Sequence, residues 1–287
     1  MDIRKYEAFL YAADLGSFSA AAEKLSYTPA GISHMVENIE QSLDITLFNR
    51  HSSGVSLTEN GRELLPHIRA IVRDEQLLKN RASDINGLLT GSVTVGSYYS
   101  IATHWLPPLI RDFSRLYPGI NIQIREGGHQ IQEQWLRESA IDFAMCSHES
   151  GTPYHWIPLE EDPMVLVVPS GHPFAARSSV SLEECSQEAF IMPALGDDYD
   201  VSRLLARHKV RLNVRYSTVE NYCAIAMVEC GLGISIMNRL ITKGLNRNIV
   251  CVPLEPAASV PLGIMVPDHV QTPAVRSLIS FIRENFR

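Results

Sequence analysis

The side chains best suited to nucleophilic, redox or metal chemistry in this sequence are five cysteines and ten histidines. The odd number of cysteines, and the lack of any C-x-x-C spacing, argue against a disulfide framework and against a zinc site. Cys146-x-His148 has no third ligand beside it, so we expect no metal. Cys223 and Cys230 would lie about 10 Å apart on a predicted helix, too far to bridge without rearrangement. We expect buried thiols, with a redox-sensing pair at Cys223 and Cys230 as the alternative.

No motif of a catalytic class accompanies these residues. The sequence contains no G-x-S-x-G, no H-E-x-x-H and no phosphate-binding loop. The segment Gly231-Leu232-Gly233 is too short for a dinucleotide fingerprint, and a turn between a helix and a strand explains it better. We therefore expect neither an enzyme nor a bound cofactor.

The composition is that of an ordinary soluble protein of two domains. The chain has 287 residues, of which 45% are hydrophobic and 20% charged. The sequence has no apolar run long enough to span a membrane and no signal peptide at its start, so we expect a cytoplasmic protein without a membrane partner. The net charge of −7 does not suit a nonspecific coat on nucleic acid, so any attraction to nucleic acid must come from local clusters.

The N-terminal part of the sequence has the pattern of a helix-turn-helix followed by a β-hairpin wing. Gly16 ends a first helix and Ser17 caps the second. Thr28 followed by Pro29 is a strong start for the third helix, and a later polar stretch has Gly54 at the tip of the hairpin. This shape lays one helix in the major groove of DNA. The buried stripe of the third helix is predicted at Ile32, Met35, Val36, Ile39 and Leu43.

A long helix capped by Thr58 is predicted next, over residues 59–89. Its apolar residues repeat every 3.5 positions, which is typical of a coiled-coil seam, with Glu75 as the polar exception. Pro66 should kink this helix. The helix either packs on its own protein or pairs with a second copy; the strict period and the two-fold symmetry of operators favour the dimer. The seam comprises Leu64, Ile68, Ile71, Glu75, Leu78, Ala82, Ile85 and Leu89.

From Gly91 onward, predicted strands and helices alternate, which indicates parallel sheets. A second run of the same kind begins near residue 163, and a final helix covers 273–286. Two α/β subdomains of this type bind ligands in the cleft at the carboxyl ends of their strands. The first run is predicted as strand 92–97, helix 101–116, strand 120–125, helix 129–137 and strand 141–146.

Several short motifs, each weak alone, occur in a specific order along essentially the whole chain. Together they resemble the LysR-type transcriptional regulators. The residues that carry the resemblance are Phe18-Ser19-Ala20-Ala21-Ala22, Leu25 to Ile39 with Ser33, Leu47-Phe48-x-Arg50, Leu57-Thr58-x-x-Gly61, Gly96, Leu106-Pro107, Phe113, Tyr117-Pro118, Glu126-Gly127, Ile141-Asp142-x-Ala144 and Gly231-x-Gly233-Ile234.

This resemblance implies an α+β multidomain chain that regulates transcription and binds a small effector. The implied partners are double-stranded promoter DNA, the effector, RNA polymerase and further copies of the chain in homodimers or homotetramers. The implied domains are a winged helix-turn-helix at 1–58, a linker and dimerisation helix at 59–89, and a periplasmic-binding-protein-like effector domain at 90–287, with subdomain I at 90–162 and 267–287 and subdomain II at 163–266.

The resemblance also implies the residues that contact DNA, but the charge here departs from the family. The third helix lacks the usual basic residues, because no lysine or arginine lies between Lys24 and Arg50. Residues 1–66 hold five cations against nine acids. We therefore expect few phosphate contacts and a shallow salt dependence of DNA binding. The implied DNA-binding residues are Lys24, Thr28, Pro29, Ala30, Ser33, His34 and Arg50.

The effector site is implied between the two subdomains. Ser100 is expected to cap a helix that begins at Ile101, where free N–H groups favour an anion, so a carboxylate-bearing effector is expected. His129 either pairs with that carboxylate or is simply solvated. The implied effector-binding residues are Tyr99, Ser100, Ile101, Gly128, His129, Cys146, Ser147, Pro193, Ala194, Thr218 and Glu220.

Three acids, Asp197, Asp198 and Asp200, lie together at the start of a predicted helix. They either complement the helix dipole or form a cleft wall that pairs with an amine. In the second case the effector is a zwitterion, with its carboxylate near Ser100 and its cation near these acids. Two further functions stay open: a regulator that needs no ligand, and a small-molecule-binding protein with weak DNA binding.

Overall fold

The fold is described from a computed structural model. The structure describes residues 2–52, 54–85, 90–148, 151–193, 199–268 and 271–286. Leu89, Ala194, Asp197 and Asp198, which carried expectations above, lie outside these ranges.

The N-terminal head is a three-helix unit with the predicted caps. Gly16 ends the first helix with a left-handed φ of 62°. Ser17 accepts from the Ala20 amide at 3.3 Å, and Thr28 accepts from the Gly31 amide at 3.1 Å. The helices are α1 (Arg4–Leu15), α2 (Phe18–Leu25) and α3 (Pro29–Leu43).

Most of the predicted apolar stripe on α3 is buried. Ile32, Val36 and Ile39 are fully enclosed in the core of the head, and Met35 packs at its edge. The prediction for Leu43 is wrong for the single chain, because that side chain is 46% exposed at the end of the helix.

The wing is a two-stranded antiparallel hairpin, β1 (Phe48–His51) and β2 (Gly54–Leu57). The Val55 amide donates to the Gly16 carbonyl at 2.9 Å, which docks the wing on the turn between α1 and α2. Gly54 has a φ of 141°, and a Cβ at this position would collide with the Gly16 carbonyl oxygen. Glycine is therefore required where the wing meets the head.

The linker helix α4 (Glu59–Ile85) belongs partly to the head. Thr58 caps it by accepting from the Gly61 amide at 2.9 Å. Leu64 and Ile68, the first two members of the predicted seam, pack against the core of the head, whereas Leu78 is 70% exposed. The helix therefore packs on its own protein over its first turns, as in one of the two alternatives. The side chains of Ala82 and Ile85 lie outside the described part of the chain.

The C-terminal part is built from ten strands and eight α-helices within the described residues. The elements are β3 (Gly91–Ser97), α5 (Tyr99–His104), α6 (Leu106–Leu116), β4 (Ile120–Glu126), α7 (His129–Arg137), β5 (Phe143–Ser147), β6 (His155–Pro169), β7 (Val180–Ser181), α8 (Leu182–Cys185), β8 (Ala189–Met192), α9 (Tyr199–His208), β9 (Asn213–Ser217), α10 (Asn221–Glu229), β10 (Ser235–Asn238), α11 (Arg239–Thr242), β11 (Ile249–Glu255), β12 (Ser259–Val266) and α12 (Pro273–Asn285).

One long strand, β6, joins the two halves of this part. The expected parallel pairing holds for β3 with β4 and β5, and for β8 with β9. The first residues of β6 pair with β12, and its last residues pair with β10 and β11, all antiparallel. The sheet is therefore mixed, in the order β4-β3-β5-β12-β6-β11-β7. The strand continues across the boundary predicted at residues 162 and 163.

The single helix predicted over 101–116 is wrong, because the chain forms α5 and α6 with a break at Trp105. Pro107 and Pro108 have no N–H group to donate back into the preceding turn, so a continuous helix would lose two hydrogen bonds. The helix also begins earlier than predicted. Tyr98 is the N-cap of α5 and Ser100 lies within its first turn, so Ser100 does not act as the expected cap.

A buried arginine of α4 touches both the head and the C-terminal part. The Arg69 side chain is only 7% exposed, and Nη2 lies 2.6 Å from Asp14 Oδ1 at the end of α1. Nη1 lies 3.7 Å from Glu138 Oε2, just after α7. One turn further along α4, Arg73 Nη1 donates to Ser139 Oγ at 2.8 Å. These contacts join the three parts of the chain.

No helix in the described ranges is both long enough and apolar enough to cross a membrane.

Because the Asp142 carboxyl is buried, we predict that its contribution to the free energy of unfolding depends on pH. Burial raises its pKa to about 6, although the Thr94 amide donates to it at 2.7 Å and Arg73 lies nearby. Between about pH 4 and 6 the folded chain therefore holds a proton that the unfolded chain has lost. The protonated Asp142 carboxyl therefore stabilises the folded chain most at the acidic end of this window. This stabilisation is lost as the pH rises through 6.

Asp142→Asn should remove that dependence. The free energy of unfolding of the variant, relative to that of the original protein, should rise by about 1–3 kcal/mol between pH 4.5 and 7. Denaturant titrations at several pH values measure this. Asp112→Asn is the control, because Arg111 lowers the pKa of Asp112. The difference in the free energy of unfolding between this variant and the original protein should therefore stay constant over this window. A constant difference for Asp142→Asn would contradict the account.

Candidate functional site

One candidate surface is the outer face of α3 together with the wing. Pro29, Ala30 and His34 are exposed there, at the start of the helix, and Thr28 is exposed at its cap. Lys24 is exposed in the last turn of α2. Ala30 and His34 lie on the side of α3 opposite its buried stripe. A helix with its N-terminal residues displayed in this way has the geometry that enters a major groove.

Arg50 of the wing is bound to α3 by a small polar network. Its Nη2 lies 2.8 Å from Glu37 Oε1, and its Nη1 donates to Ser33 Oγ at 3.0 Å. Ser33 Oγ in turn donates to Glu37 Oε1 at 2.9 Å. The guanidinium also lies over the Phe18 ring, 5.3 Å from its centroid. Arg50 and Ser33, which the sequence assigned separately, are therefore parts of one cluster.

The other cations of the head are few and partly engaged. Arg4 forms an ion pair with Asp2 at 2.9 Å, and Arg62 donates to the Leu57 carbonyl at 2.9 Å. Lys5 lies 5.1 Å from the centroid of the Tyr6 ring. The surface of the head thus offers isolated cations and helix ends rather than a continuous basic patch.

The second candidate site is a cavity of about 370 Å³ between the two halves of the C-terminal part. It opens at the carboxyl ends of β3 and β4, and the starts of α9 and α10 close it from the other side. Its lining residues are Tyr98, Tyr99, Ser100, Glu126, Gly127, Gly128, His129, Asp200, Val219, Glu220, Asn221, Tyr222, Asn238 and Ile241.

Aromatic and hydroxyl groups form the polar floor of this cavity. The Tyr98 hydroxyl lies 2.9 Å from Ser147 Oγ and 3.5 Å from His129 Nδ1. His129 is buried, and its Nε2 lies 3.7 Å from Glu133 Oε1. Tyr99 contacts Tyr222 across the cavity with ring centroids 5.4 Å apart. The lining of the cavity therefore includes a tyrosine pair that joins its two halves and a buried, hydrogen-bonded histidine.

Negative charge predominates in the lining. Glu126, Asp200 and Glu220 bring three carboxylates, of which Asp200 is buried and lies 3.7 Å from Arg203. Two helices, α7 and α10, begin at the cavity. Their N-caps, Gly128 and Glu220, make no side-chain capping bond within the described part of the chain. Helix N-termini attract an anion and carboxylates attract a cation, so the lining can pair with a ligand that carries both charges.

The structure brings five of the eleven predicted effector-binding residues to the cavity: Tyr99, Ser100, Gly128, His129 and Glu220. Ser147 lies one hydrogen bond behind it, beneath Tyr98. Most of the predicted residues that reach the cavity therefore follow the first two strands of the C-terminal part.

The remaining predicted residues are placed elsewhere. Ile101 is fully buried in the main core, and Cys146 points to the opposite face of β5, among Leu136 and Met265. These two lie away from the cavity because side chains alternate along a strand and rotate by about 100° per residue along a helix. Pro193 and Thr218 do not line it, although the Thr218 amide donates to the Met192 carbonyl at 3.1 Å. Ala194 lies outside the described ranges.

Sequence reasoning missed most of the lining from the second half. Tyr98, Glu126 and Gly127 follow directly from the rule that ligands bind at the carboxyl ends of strands, and each lies within two residues of a predicted one. Asp200 was considered as part of an acidic cluster. Val219 lies between Thr218 and Glu220, which were both predicted. The remaining residues carry no local signal, because only the folding of α10, β10 and α11 over the cleft brings them there: Asn221, Tyr222, Asn238 and Ile241.

The cysteines differ from the expectation in part. Cys146 and Cys185 are buried, and burial raises the pKa of the Cys185 thiol to about 12. Cys223 and Cys230 are exposed, so the prediction of burial is wrong for them. Among the residues with described positions, no group of three or more histidine, cysteine or acidic side chains is arranged to hold a metal ion.

Two family models match the chain in the predicted order. The model described as bacterial regulatory helix-turn-helix protein, lysR family, matches residues 3–62. The model described as LysR substrate binding domain matches residues 86–287.

Known proteins are similar over the full length. The uncharacterized HTH-type transcriptional regulator YvbU of Bacillus subtilis is 26% identical over 290 residues, covering 100% of this chain and 99% of that one. A full-length OxyR variant from Pseudomonas aeruginosa superposes with a TM-score of 0.77 at 21% identity, covering 99% of this chain and 95% of that one. The effector-binding domain of QuiR in complex with shikimate has a TM-score of 0.62 at 21% identity, covering 69% of this chain and 97% of that one.

Proposed function

The chain belongs to the LysR family of DNA-binding transcriptional regulators, as its motifs predicted, and from this premise we propose that a small polar effector in the cavity controls how its winged heads bind promoter DNA. Membership of this family confirms that the chain is a regulator with an effector-binding domain and not an enzyme. The observation that carries the proposal is the cavity of about 370 Å³ with its charged and aromatic lining.

In this proposal α3 enters the major groove and the wing follows the phosphate backbone. Thr28, Pro29, Ala30 and His34 approach the DNA at the start of α3, with Ser33 one turn deeper. Lys24 and Arg50 supply positive charge toward phosphates. The free N–H groups at the helix start add to this attraction, since the head has few cations.

Two heads must act together to read a two-fold operator, so we propose a homodimer that pairs along α4. Leu78, exposed on α4 and part of the 3.5-residue repeat, supports this pairing. A homotetramer assembled from two such dimers bound to promoter DNA would present the regulator to RNA polymerase. Multivalency in the oligomer compensates for weak binding by each acidic head.

The proposed effector is a zwitterion. Its anionic end faces the N-terminus of α7 at Gly128, and its cationic end faces Asp200 and Glu220 at the starts of α9 and α10. The QuiR domain, of the same fold, was solved with shikimate, a carboxylic acid, which supports an anionic group in the ligand. The three carboxylates in this chain support the added cation.

The proposed path from cavity to head runs along α7. His129 begins α7 at the cavity, and Glu138 and Ser139 follow its end, where they contact Arg69 and Arg73 of the linker. Arg69 also contacts Asp14 of the head. An effector that favours one position of α7 therefore favours one position of the head; this is a shift between two states for which the effector has different affinities.

The sparse cations of the head predict a shallow salt dependence of DNA binding. Binding of the purified protein to its own upstream DNA, measured by gel shift at several salt concentrations, should give a log–log slope of magnitude about 4 or less for a dimer, since each phosphate contact contributes about 0.9. Arg50→Ala should reduce that magnitude by about 2. Arg111→Ala, an exposed arginine paired with Asp112 in the effector domain, is the matched control and should leave it unchanged. A slope near 10 would contradict the proposed contacts.

Filling the cavity predicts a selective loss of ligand binding. Gly128 has an ordinary extended backbone (φ −69°, ψ 173°), and a Cβ there meets no atom within 4 Å. Gly128→Leu should therefore fold normally and occupy the cavity mouth. Gly171→Leu is the control, because that glycine also has open space around it.

Calorimetric titration with amino acids, short diamines and simple carboxylates tests both the site and the ligand class. Zwitterionic compounds should bind the original protein and the Gly171→Leu control, with about tenfold or greater loss in Gly128→Leu. Equal binding to Gly128→Leu would place the effector elsewhere. Binding of neutral compounds alone would reject the zwitterion. Ligand binding without any change in operator affinity would favour the ligand-independent regulator.

A further inference from the structure

Glu37 occupies an unusual place for an acid, on the outer face of the helix proposed to enter the major groove. It lies four residues after Ser33, about 6 Å further along the helix axis. Its side chain is 40% exposed in spite of its contacts with the wing. Phosphates repel a carboxylate at such a surface, so a nearby cation is needed to stabilise it there.

The local cation is Arg50, which fixes the carboxylate in one orientation. Arg50 Nη2 at 2.8 Å and Ser33 Oγ at 2.9 Å both reach the same oxygen, Glu37 Oε1. These two bonds, the one from Arg50 first, hold the pKa of Glu37 below its usual range, so the group stays ionised. Within the described residues, the hydrogen bonds of this carboxylate all go to Oε1. Among the described residues no hydrogen bond goes to Oε2, so this oxygen of the partly exposed side chain can accept a further one.

We propose that Glu37 is a specificity-determining residue, whose Oε2 accepts a hydrogen bond from the N4 amino group of a cytosine in each half-site. Cytosine presents a donor without a neighbouring acceptor in the major groove. Guanine and thymine present acceptors there, which repel a carboxylate, and adenine places the N7 lone pair beside its amino group. Arg50 and Ser33 act as positioning residues for Glu37, and the remaining donors of Arg50 stay available for phosphate.

The simpler rival is that Glu37 only neutralises Arg50. The two ideas differ in what removal of the carboxylate does. Loss of a base reader changes preference at one position of each half-site and leaves the others alone. Loss of a neutralising charge raises affinity for every sequence by a similar factor and steepens the salt dependence.

The inference about Glu37 rests on the proposed DNA-binding role of the head. The first experiment therefore tests whether the head reads DNA sequence at all, before Glu37 is changed. Full-length protein is first used to select its site from randomised duplexes. If the original protein selects no sequence at any salt concentration, both the inference and the proposed reading head fail. If it selects a motif, affinities are measured on that motif and on its single-base substitutions for the original protein, Glu37→Ala and Glu37→Gln. Asn38→Ala, the exposed neighbour outside the network, is the control.

The expected result is a cytosine in each half-site whose replacement weakens binding by the original protein about tenfold. In Glu37→Ala the same replacement should change binding less than about twofold, while other positions keep their effects. Glu37→Gln should shift the preference at that position toward adenine, because an amide pairs with adenine N6 and N7. Asn38→Ala should behave like the original protein.

The inference is overturned if Glu37→Ala binds all duplexes more tightly with its base preferences unchanged. It is also overturned if Asn38→Ala, the control, loses the same base preference at the same position of the half-site. Exposed substitutions on a capped helix leave the core of the head intact, and thermal unfolding of each variant verifies this.

Discussion

A buried arginine on the linker helix is the interaction on which the proposed communication within this regulator depends. Arg69 is almost wholly enclosed, yet it carries a full charge, and removing one partner of such a charge is strongly unfavourable. Its partners, Asp14 and Glu138, belong to the head and to the effector domain. The charge therefore stabilises one placement of both parts against α4. The carboxylates of Asp14 and Glu138 both pair with the guanidinium of Arg69. In this account a small movement of α7 strengthens one of the two ion pairs and weakens the other.

Charge placement, rather than amount of charge, distinguishes the head of this chain. Acids outnumber cations there, and the wing arginine is held by an acid on α3. In the proposed complex the same network orients both the cation for a phosphate and the carboxylate for a base. The cavity follows a similar logic, because carboxylates and helix N-termini face one space and favour a ligand with separated charges. In this account both sites select their ligand by the positions of a few charged groups. A strongly basic or strongly apolar site would instead bind according to its total charge or its total apolar area.

The sequence predicted those features that depend on neighbours in the chain. Ser17, Thr28 and Thr58 cap the helices that follow them because a hydroxyl and the amides it accepts from lie within one turn. The break at Trp105 was missed although Pro107 and Pro108 signal it, because the apolar period of the segment continues across them. Tyr222 and Ile241 reach the cavity only through the packing of distant elements, and no local pattern reports that. The contact of Arg69 with Asp14, across 55 residues, is of the same long-range kind.

The central claim is that the head and the cavity helix are energetically coupled through Arg69. Because such coupling is reciprocal, DNA bound to the head must alter α7 even without an effector. Hydrogen–deuterium exchange of residues 129–139, measured with and without the selected operator, tests this in the original protein and in Arg69→Met. We predict that DNA changes amide exchange at the end of α7 in the original protein and changes it much less in Arg69→Met, which still binds DNA and keeps the contact of Arg73 with Ser139. Unchanged exchange in the original protein, or an equal change in the variant, would contradict the account.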